Sequence, residues 1–378
     1  MTDFLVWFFS TIWPWVLGAI HLFLTVVASG HVVLTKRDSR AALGWVGIIW
    51  LTPILGTLLY MMFGINRIRR KARALRRGHG QRDSSAGVRP AREDVVRRLL
   101  GEDADHLMSL TSYVNRLTDL PLLDGNKIQP LCGGRATYEA MLAAIEGAER
   151  SIALQIYIFD NDPIGRRFAD ALGRAKDRGC QVRVMIDDVG ARYTWPSIKG
   201  RLRELGVPVA TFNPTLIPGK LHYTNLRNHR KIMVVDGQIG FTGGMNIRQG
   251  HLCESEFKHP VEDMHFQIDG PVVAHLRDTF TADWEFSTGE VLEGPAWLPL
   301  LEPCGQSLCR GIADGPDFEH DKLRLTILGA IGCARQSVEI VTPYFLPEQP
   351  MITALNVAAM RGVAVHIILP ERSNLMLV

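Results

Sequence analysis

Between Arg227 and Ile247 the chain reads RNHRKIMVVDGQIGFTGGMNI, which sets His229 and Lys231 two apart, Asp236 five residues further, and Gly243, Gly244 and Asn246 after a short apolar stretch. In an extended strand alternate side chains share a face, so the imidazole and the ammonium point the same way. Histidine titrates near neutrality and serves as nucleophile or acid/base, while lysine brings a positive charge. Together they suit attack on a phosphorus centre whose oxygens need neutralising. An anionic substrate is expected. The same residues also fit two short buried strands, IMVVDG and IGFTGG, around an Asp-Gly turn, with His229 merely capping the first.

The longer pattern His-x-Lys-x4-Asp-x6-Gly-Gly-x-Asn resembles the HKD motif of the phospholipase D superfamily. The resemblance implies that His229 is the nucleophile and forms a phosphohistidine, that Lys231 and Asn246 bind the phosphate, and that Asp236, the third catalytic-motif residue, is mainly structural near the site. Asp263, in the segment EDMHF, is the candidate for orienting and charging the His229 ring, with Glu256 next. The chemistry so implied needs no metal and no organic cofactor.

These residues must be positioned by a sizeable fold. The chain has 378 residues, 47% of them hydrophobic, which is room for two domains and a substantial core. A net charge of +3 does not by itself imply nucleic-acid binding, and none is expected. Six cysteines are scattered without CxxC spacing, so neither a zinc site nor a disulfide framework is suggested.

Residues 4–35 and 41–66 contain no Asp, Glu, Lys or Arg. A bilayer needs about 20 mostly apolar residues per helix, so transmembrane helices are expected near 13–35 and 42–63, forming a hairpin over 1–66. Three basic residues lie in the turn, at 36, 37 and 40, against seven between Arg67 and Arg77. The positive-inside rule therefore puts both ends of the hairpin, and everything after it, in the cytoplasm. The basic run also suits anionic headgroups. A juxtamembrane segment and linker is expected over 67–119.

Beyond residue 120, helical and strand periodicities alternate, as in an α/β sandwich with a largely parallel sheet. The pattern then repeats. AERSIALQIYIF, ending at Phe159, aligns with ARQSVEIVTPYF, ending at Phe345, and RGCQVRVMI from Arg178 aligns with RGVAVHIIL from Arg361, at offsets of 186 and 183 residues. A duplicated α/β domain follows, with a first copy over 120–300 and an incomplete second over 301–378. At that offset a second motif histidine falls near position 412, past Val378, and the 378 residues hold no second His-x-Lys-x4-Asp. The expectation is a chain truncated relative to the usual enzyme, or one completed by another chain, a homo-oligomer included.

The apolar pair, the basic run, the HKD stretch, EDMHFQIDGPVV and VTPYFLP together resemble the bacterial cardiolipin synthase family. That resemblance implies a multi-pass enzyme of the inner (cytoplasmic) membrane with its catalytic domain facing the cytoplasm. It also implies phosphatidylglycerol and other anionic membrane lipids as partners, and transfer of a phosphatidyl group from one phosphatidylglycerol to another, giving cardiolipin and glycerol. A phospholipase D-type hydrolase, a nuclease, or a catalytically silent truncated membrane protein are the alternatives.

Overall fold

The computed structural model describes residues 7–36, 39–52, 54–65, 88–101, 105–212, 227–253, 260–314 and 321–371. The basic run, residues 78–87 after it, and Glu256 lie outside them. The described residues form two compact units, one built from the amino-terminal helices and one from residue 88 onward.

In the first unit a π-helical turn, Phe8–Ile12, leads into α1 (Trp13–Thr35). The stretch Ser10–Thr35, 26 residues, is long and apolar enough to cross a membrane. The second expected span is not one helix. It is divided into α2 (Ser39–Leu51) and α3 (Leu55–Leu59), the latter continued by a π-helical turn, Tyr60–Gly64. The sequence supplies the break. Pro53 has no N–H to donate, Ile54 takes a positive φ of 63°, and the Thr52 hydroxyl donates to the Ile48 carbonyl at 2.6 Å. The divided segment still packs on α1: Ala28 and Val32 meet Ile49 and Tyr60. His31 Nδ1 lies 2.7 Å from the Tyr60 hydroxyl, and Trp50 donates to Ser29 at 3.1 Å.

The second unit opens with α4 (Glu93–Leu100) and α5 (Asp105–Asn115). There follow β1 (Leu123–Cys132), α6 (Gly133–Glu146), β2 (Ser151–Ile156), α7 (Pro163–Asp177), β3 (Gln181–Asp187), α8 (Ile198–Glu204) and β4 (Val209–Phe212). Then come β5 (Ile232–Val235), β6 (Ile239–Gly243), β7 (Met264–Asp269), α9 (Val273–Thr288) and β8 (Ser307–Cys309). Eight strands make one sheet in the order β4-β3-β2-β5-β6-β7-β1-β8. The expected parallel arrangement holds only for β2–β3–β4, and every other pairing is antiparallel. The reason is connection length: Asp236 and Gly237 turn β5 straight back into β6, whereas parallel neighbours need a crossover such as α7.

The central strands are apolar on both faces because helices cover both. Ile152, Leu154 and Ile156 of β2, with Val182, Val184 and Ile186 of β3, face Tyr138, Met141, Phe168 and Leu172 of α6 and α7. Ala153, Met185, Ile232 and Val234 face the other way, onto Val273, Phe280 and Trp284 of α9. The result is a mixed α/β sandwich around a central sheet.

The carboxy-terminal part holds α10 (Lys322–Cys333), β9 (Ser337–Val341), α11 (Gln349–Met360) and β10 (Ala364–Ile368). Here Ser337 stands opposite Ala364 in a parallel pair, as Ser151 stands opposite Gln181 between β2 and β3. Helix, strand, helix, strand thus recur in the same order and the same sense. Strand β8, which the sequence groups with this part, instead edges the eight-stranded sheet beside β1.

Candidate active site

His229 and Lys231 lie in the extended segment that feeds β5. The His229 ring stacks on Tyr157, with centroids 4.0 Å apart and planes inclined at 29°. Lys231 Nζ stands 5.9 Å from the centre of the same Tyr157 ring and donates to the His229 carbonyl at 2.9 Å. That leaves ammonium protons for an incoming anion. Arg230, between them, turns to the opposite face. It meets Asp283 of α9 at 2.6 Å in a largely buried pair. The alternation expected of an extended chain is therefore expressed on both sides.

The buried pair belongs to a network that fixes the segment from behind. Asp283 also accepts from Gln155 at 2.6 Å and from the Asn228 side chain at 2.7 Å, and Asn228 Oδ1 accepts from the Arg230 N–H at 3.0 Å. Asn228 donates its own N–H to Asp187 at 3.3 Å, and Arg227 lies 3.6 Å from that carboxylate. Burial pushes Asp187 above its ordinary value, against these stabilising contacts.

Asn246 is reached through the loop after β6. Its Oδ1 accepts the Ile158 N–H at 3.0 Å, which fixes the amide's orientation and leaves Nδ2 for a ligand oxygen, one residue from Tyr157. Tyr138 donates to the Asn246 carbonyl at 2.7 Å. The Asn246 N–H donates to His251 Nε2 at 3.3 Å, and His251 Nδ1 in turn reaches the Val261 carbonyl at 3.3 Å. The two glycines before Asn246 give space. A Cβ on Gly243 would stand 2.6 Å from His265 Nδ1, and one on Gly244 would collide with the Asp263 carboxylate.

The cations here are raised in energy. Burial lowers the Lys231 pKa, with the Asp263 charge opposing. His229 is exposed at its edge, yet desolvation of the ring lowers its pKa, and Lys231 and Arg227 lower it further. Both effects favour a neutral, nucleophilic imidazole. His265, fully buried with its Nδ1 unpaired, is pushed down to about 4 by burial, then Lys231 and His251.

Two sequence expectations change. Asp236 is not beside His229. It follows β5 at the end remote from Lys231, about 16 Å away at 3.3 Å per residue. Its carboxylate accepts the N–H groups of Glu149 (3.0 Å), Arg150 (2.7 Å) and Ser151 (2.9 Å). It is a scaffold residue. Asp263 does not hold the His229 ring, which makes no hydrogen bond among the described residues. Its carboxylate accepts the Met264 N–H at 2.7 Å and acts electrostatically on Lys231 and His251. Glu256 lies outside the described residues. Sequence reasoning missed Tyr157, Asn228, Asp283, Tyr138 and His251. Asn228 and Arg230 are inside the motif itself, but nothing in the spacing announces their shared partner, 55 and 53 residues on.

The family described as "Cardiolipin synthase, PLD-like domain" matches residues 141–284 and 327–377, and "Phospholipase_D-nuclease N-terminal" matches residues 23–64. Cardiolipin synthase A of Pseudomonas putida is 33% identical over 360 residues, covering 95% of this chain and 74% of that protein. Cardiolipin synthase 1 of Bacillus anthracis is 32% identical over 364 residues, covering 93% and 70% respectively. Among solved structures, the phosphatidylserine synthase of Haemophilus influenzae overlaps 69% of this chain and 66% of its own, at 16% identity and a TM-score of 0.49. With the motif, the match to the family model and the two cardiolipin synthases that share about a third of their aligned residues with it, the chain belongs to the cardiolipin synthase family of phospholipase D superfamily enzymes.

Proposed function

We propose that this protein is a membrane-bound phosphatidyltransferase that converts two phosphatidylglycerols into cardiolipin and glycerol through a phosphohistidine. The observation that carries this reading is the convergence of the neutral His229 ring and the Lys231 ammonium on Tyr157, with the Asn246 amide one residue away. A ring nitrogen of His229 attacks the lipid phosphorus and the bond to the headgroup glycerol breaks. Lys231 and Asn246 hold the non-bridging oxygens as negative charge builds on them. The departing glycerol takes a proton from a second acid. The headgroup hydroxyl of another phosphatidylglycerol then gives up its proton and attacks the phosphohistidine, breaking the P–N bond. In the family a second copy of the motif supplies that acid, and the 378 residues hold one copy.

The reading extends to organisation. Residues 1–66 form a membrane-inserted hairpin, 67–119 a basic juxtamembrane segment and linker, 120–300 a first phospholipase D-like domain, and 301–378 part of a second. The matching order and parallel sense of the elements around β2–β3 and β9–β10 support the duplication. Supporting the hairpin are one helix of spanning length and a divided apolar segment packed on it.

Membranes containing this chain extended by a second copy of the motif from a related enzyme, given labelled phosphatidylglycerol, test the reaction; the 378 residues alone should give little or no turnover. Labelled cardiolipin with released glycerol is expected from the completed chain, and His229→Ala should lower it by roughly a hundredfold or more and abolish the phosphoenzyme. Phosphatidic acid as the product points to a hydrolase. DNA cleavage without lipid turnover points to a nuclease.

A further inference from the structure

Trp195 is 96% exposed, more than any other large hydrophobic side chain among the described residues, and Tyr193 beside it is 55% exposed. Their loop is held in place on both sides of the tryptophan. The Thr194 hydroxyl accepts the Asn161 N–H at 2.8 Å, and the Pro196 carbonyl accepts the Asn161 side-chain N–H at 2.9 Å. Arg166 donates to Asn161 Oδ1 at 3.0 Å and fixes that side chain in turn. An indole held out in water by a fastened loop leaves a large apolar area uncovered, and indole and phenol rings favour the boundary between hydrocarbon and water.

The surroundings specify what covers it. On α8, immediately after the loop, Lys199 is lowered in pKa by partial burial, against the charge of Asp188 and with those of Arg203 and Arg192. Asp188 pairs with Arg192 and Asp170 with Arg201, whereas Lys199 and Arg203 have no ion-pair partner among the described residues. A surplus of positive charge therefore lies next to the exposed rings. The patch is also continuous with the site: Tyr193 lies 6.5 Å from Tyr157, the ring on which His229 stacks.

We infer that loop 193–196, together with Lys199 and Arg203, is a docking surface for a bilayer containing anionic phospholipid. It seats the mouth of the His229 site against the headgroups from which the substrate is drawn. Trp195 and Tyr193 enter the interface, and the two cations face the lipid phosphates. The inference rests on the lipid-substrate reading above for its purpose, but its test does not depend on turnover.

The full chain, labelled with 5-fluorotryptophan, is placed in nanodiscs of phosphatidylcholine alone or of phosphatidylcholine with phosphatidylglycerol. The Trp195 signal is identified by its loss in Trp195→Phe. A water-soluble gadolinium chelate should broaden that signal markedly less in the phosphatidylglycerol discs. Lys199→Glu and Arg203→Glu should each weaken the shielding by about fivefold in the phosphatidylglycerol concentration required. Equal broadening in both discs, or shielding that ignores both charge reversals, overturns the inference. In kinetics of the chain completed with the second motif, Trp195→Ala should slow turnover of phosphatidylglycerol in bilayers but not of a short-chain phosphatidylglycerol dissolved as monomers. A loss on both substrates also overturns it. Shielding in a completed chain that forms no lipid product would instead refute the transferase reading and leave the docking surface standing.

Discussion

The rings of Tyr157 and His229 stack at 4.0 Å, so an aromatic neighbour rather than a carboxylate sets the direction of the nucleophile. A stacked aromatic pair is worth about 1 kcal/mol beyond its buried area, and the phenol oxygen plays no part in the stack. Tyr157→Leu should therefore lower kcat roughly tenfold, with a smaller change in KM, while Tyr157→Phe stays within about twofold. Rates of phosphohistidine formation from labelled phosphatidylglycerol check this. Equal losses in the two variants would show that the hydroxyl, not the ring, matters.

The pH dependence of the site follows from its charges. Desolvation, Lys231 and Arg227 all disfavour the His229 imidazolium, so the neutral ring persists below the ordinary histidine range. Removing a neighbouring positive charge must raise the pKa. Lys231→Met should shift the His229 titration upward, followed by nitrogen-15 NMR of the ring, and should move the acid limb of kcat/KM the same way. A downward shift would contradict the arrangement. The stability term has a definite sign: a folded-state value below the unfolded one means that the native protein binds fewer protons. The contribution of His229 is then present above the ordinary histidine range and lost as pH falls through it. His265, pushed to about 4 from 6.5, adds a loss of the same sign between those two values.

Asp236 should behave as a scaffold. Its two oxygens accept three backbone N–H groups, and Asp236→Ala leaves those donors without the carboxylate. A loss of about 2 kcal/mol or more in unfolding free energy is expected, with kcat per folded molecule nearly unchanged. Thermal melts alongside titration of the phosphoenzyme separate the two effects. A large fall in kcat without loss of stability would return Asp236 to the chemistry.

Behind the site, Asp283→Leu would leave Arg230 buried without the Asp283 carboxylate, at a cost of about 3–5 kcal/mol. Arg230→Met in the same chain should recover most of that cost, since two apolar side chains then replace the pair. Denaturant unfolding of the single and double variants reads the coupling directly. Purely additive effects would show that the pair is not the element that fixes Asn228 and the segment leading into β5.

The hairpin has its own test. Reporters fused after residues 38 and 80 should place the turn outside and the juxtamembrane segment inside the cytoplasm, given seven basic residues after the apolar stretches against three between them. An external signal at residue 80 would reverse the orientation.

Much of this fold is written in local patterns that a reader of the sequence can count. The buried strands β2 and β3, the helix α7 between them and their counterparts β9, α11 and β10 follow from apolar periodicity and turn residues. What was not legible is how strands far apart in the chain pair. Nothing in Leu123–Cys132 says that β1 will lie between β7 and β8, and nothing in Ile232–Val235 says that β5 will run antiparallel to β2, the pairing at which the sheet becomes mixed. Likewise His229 and Lys231 are visible from their spacing, but Tyr157 reaches them only because β2 and β5 are neighbours in the sheet. The partner of Asp263 is not legible in the segment EDMHF, because the strand pairing that brings it near Lys231 is long-range. The carboxylate's field acts on Lys231.

Lys231 and Asp236 flank the four residues of β5, so the gap between them is the length of the strand. The motif's spacing is then a ruler rather than a list of reacting groups. Removing or adding one residue inside Ile232–Val235 while Asp236 remains tied to residues 149–151 would turn His229 and Lys231 to the opposite face of the sheet, toward Asp283, and would bring Arg230 to the Tyr157 side. Related chains should tolerate many apolar substitutions within that interval but no change in its length. Another acceptor able to tie the same three N–H groups could replace the aspartate.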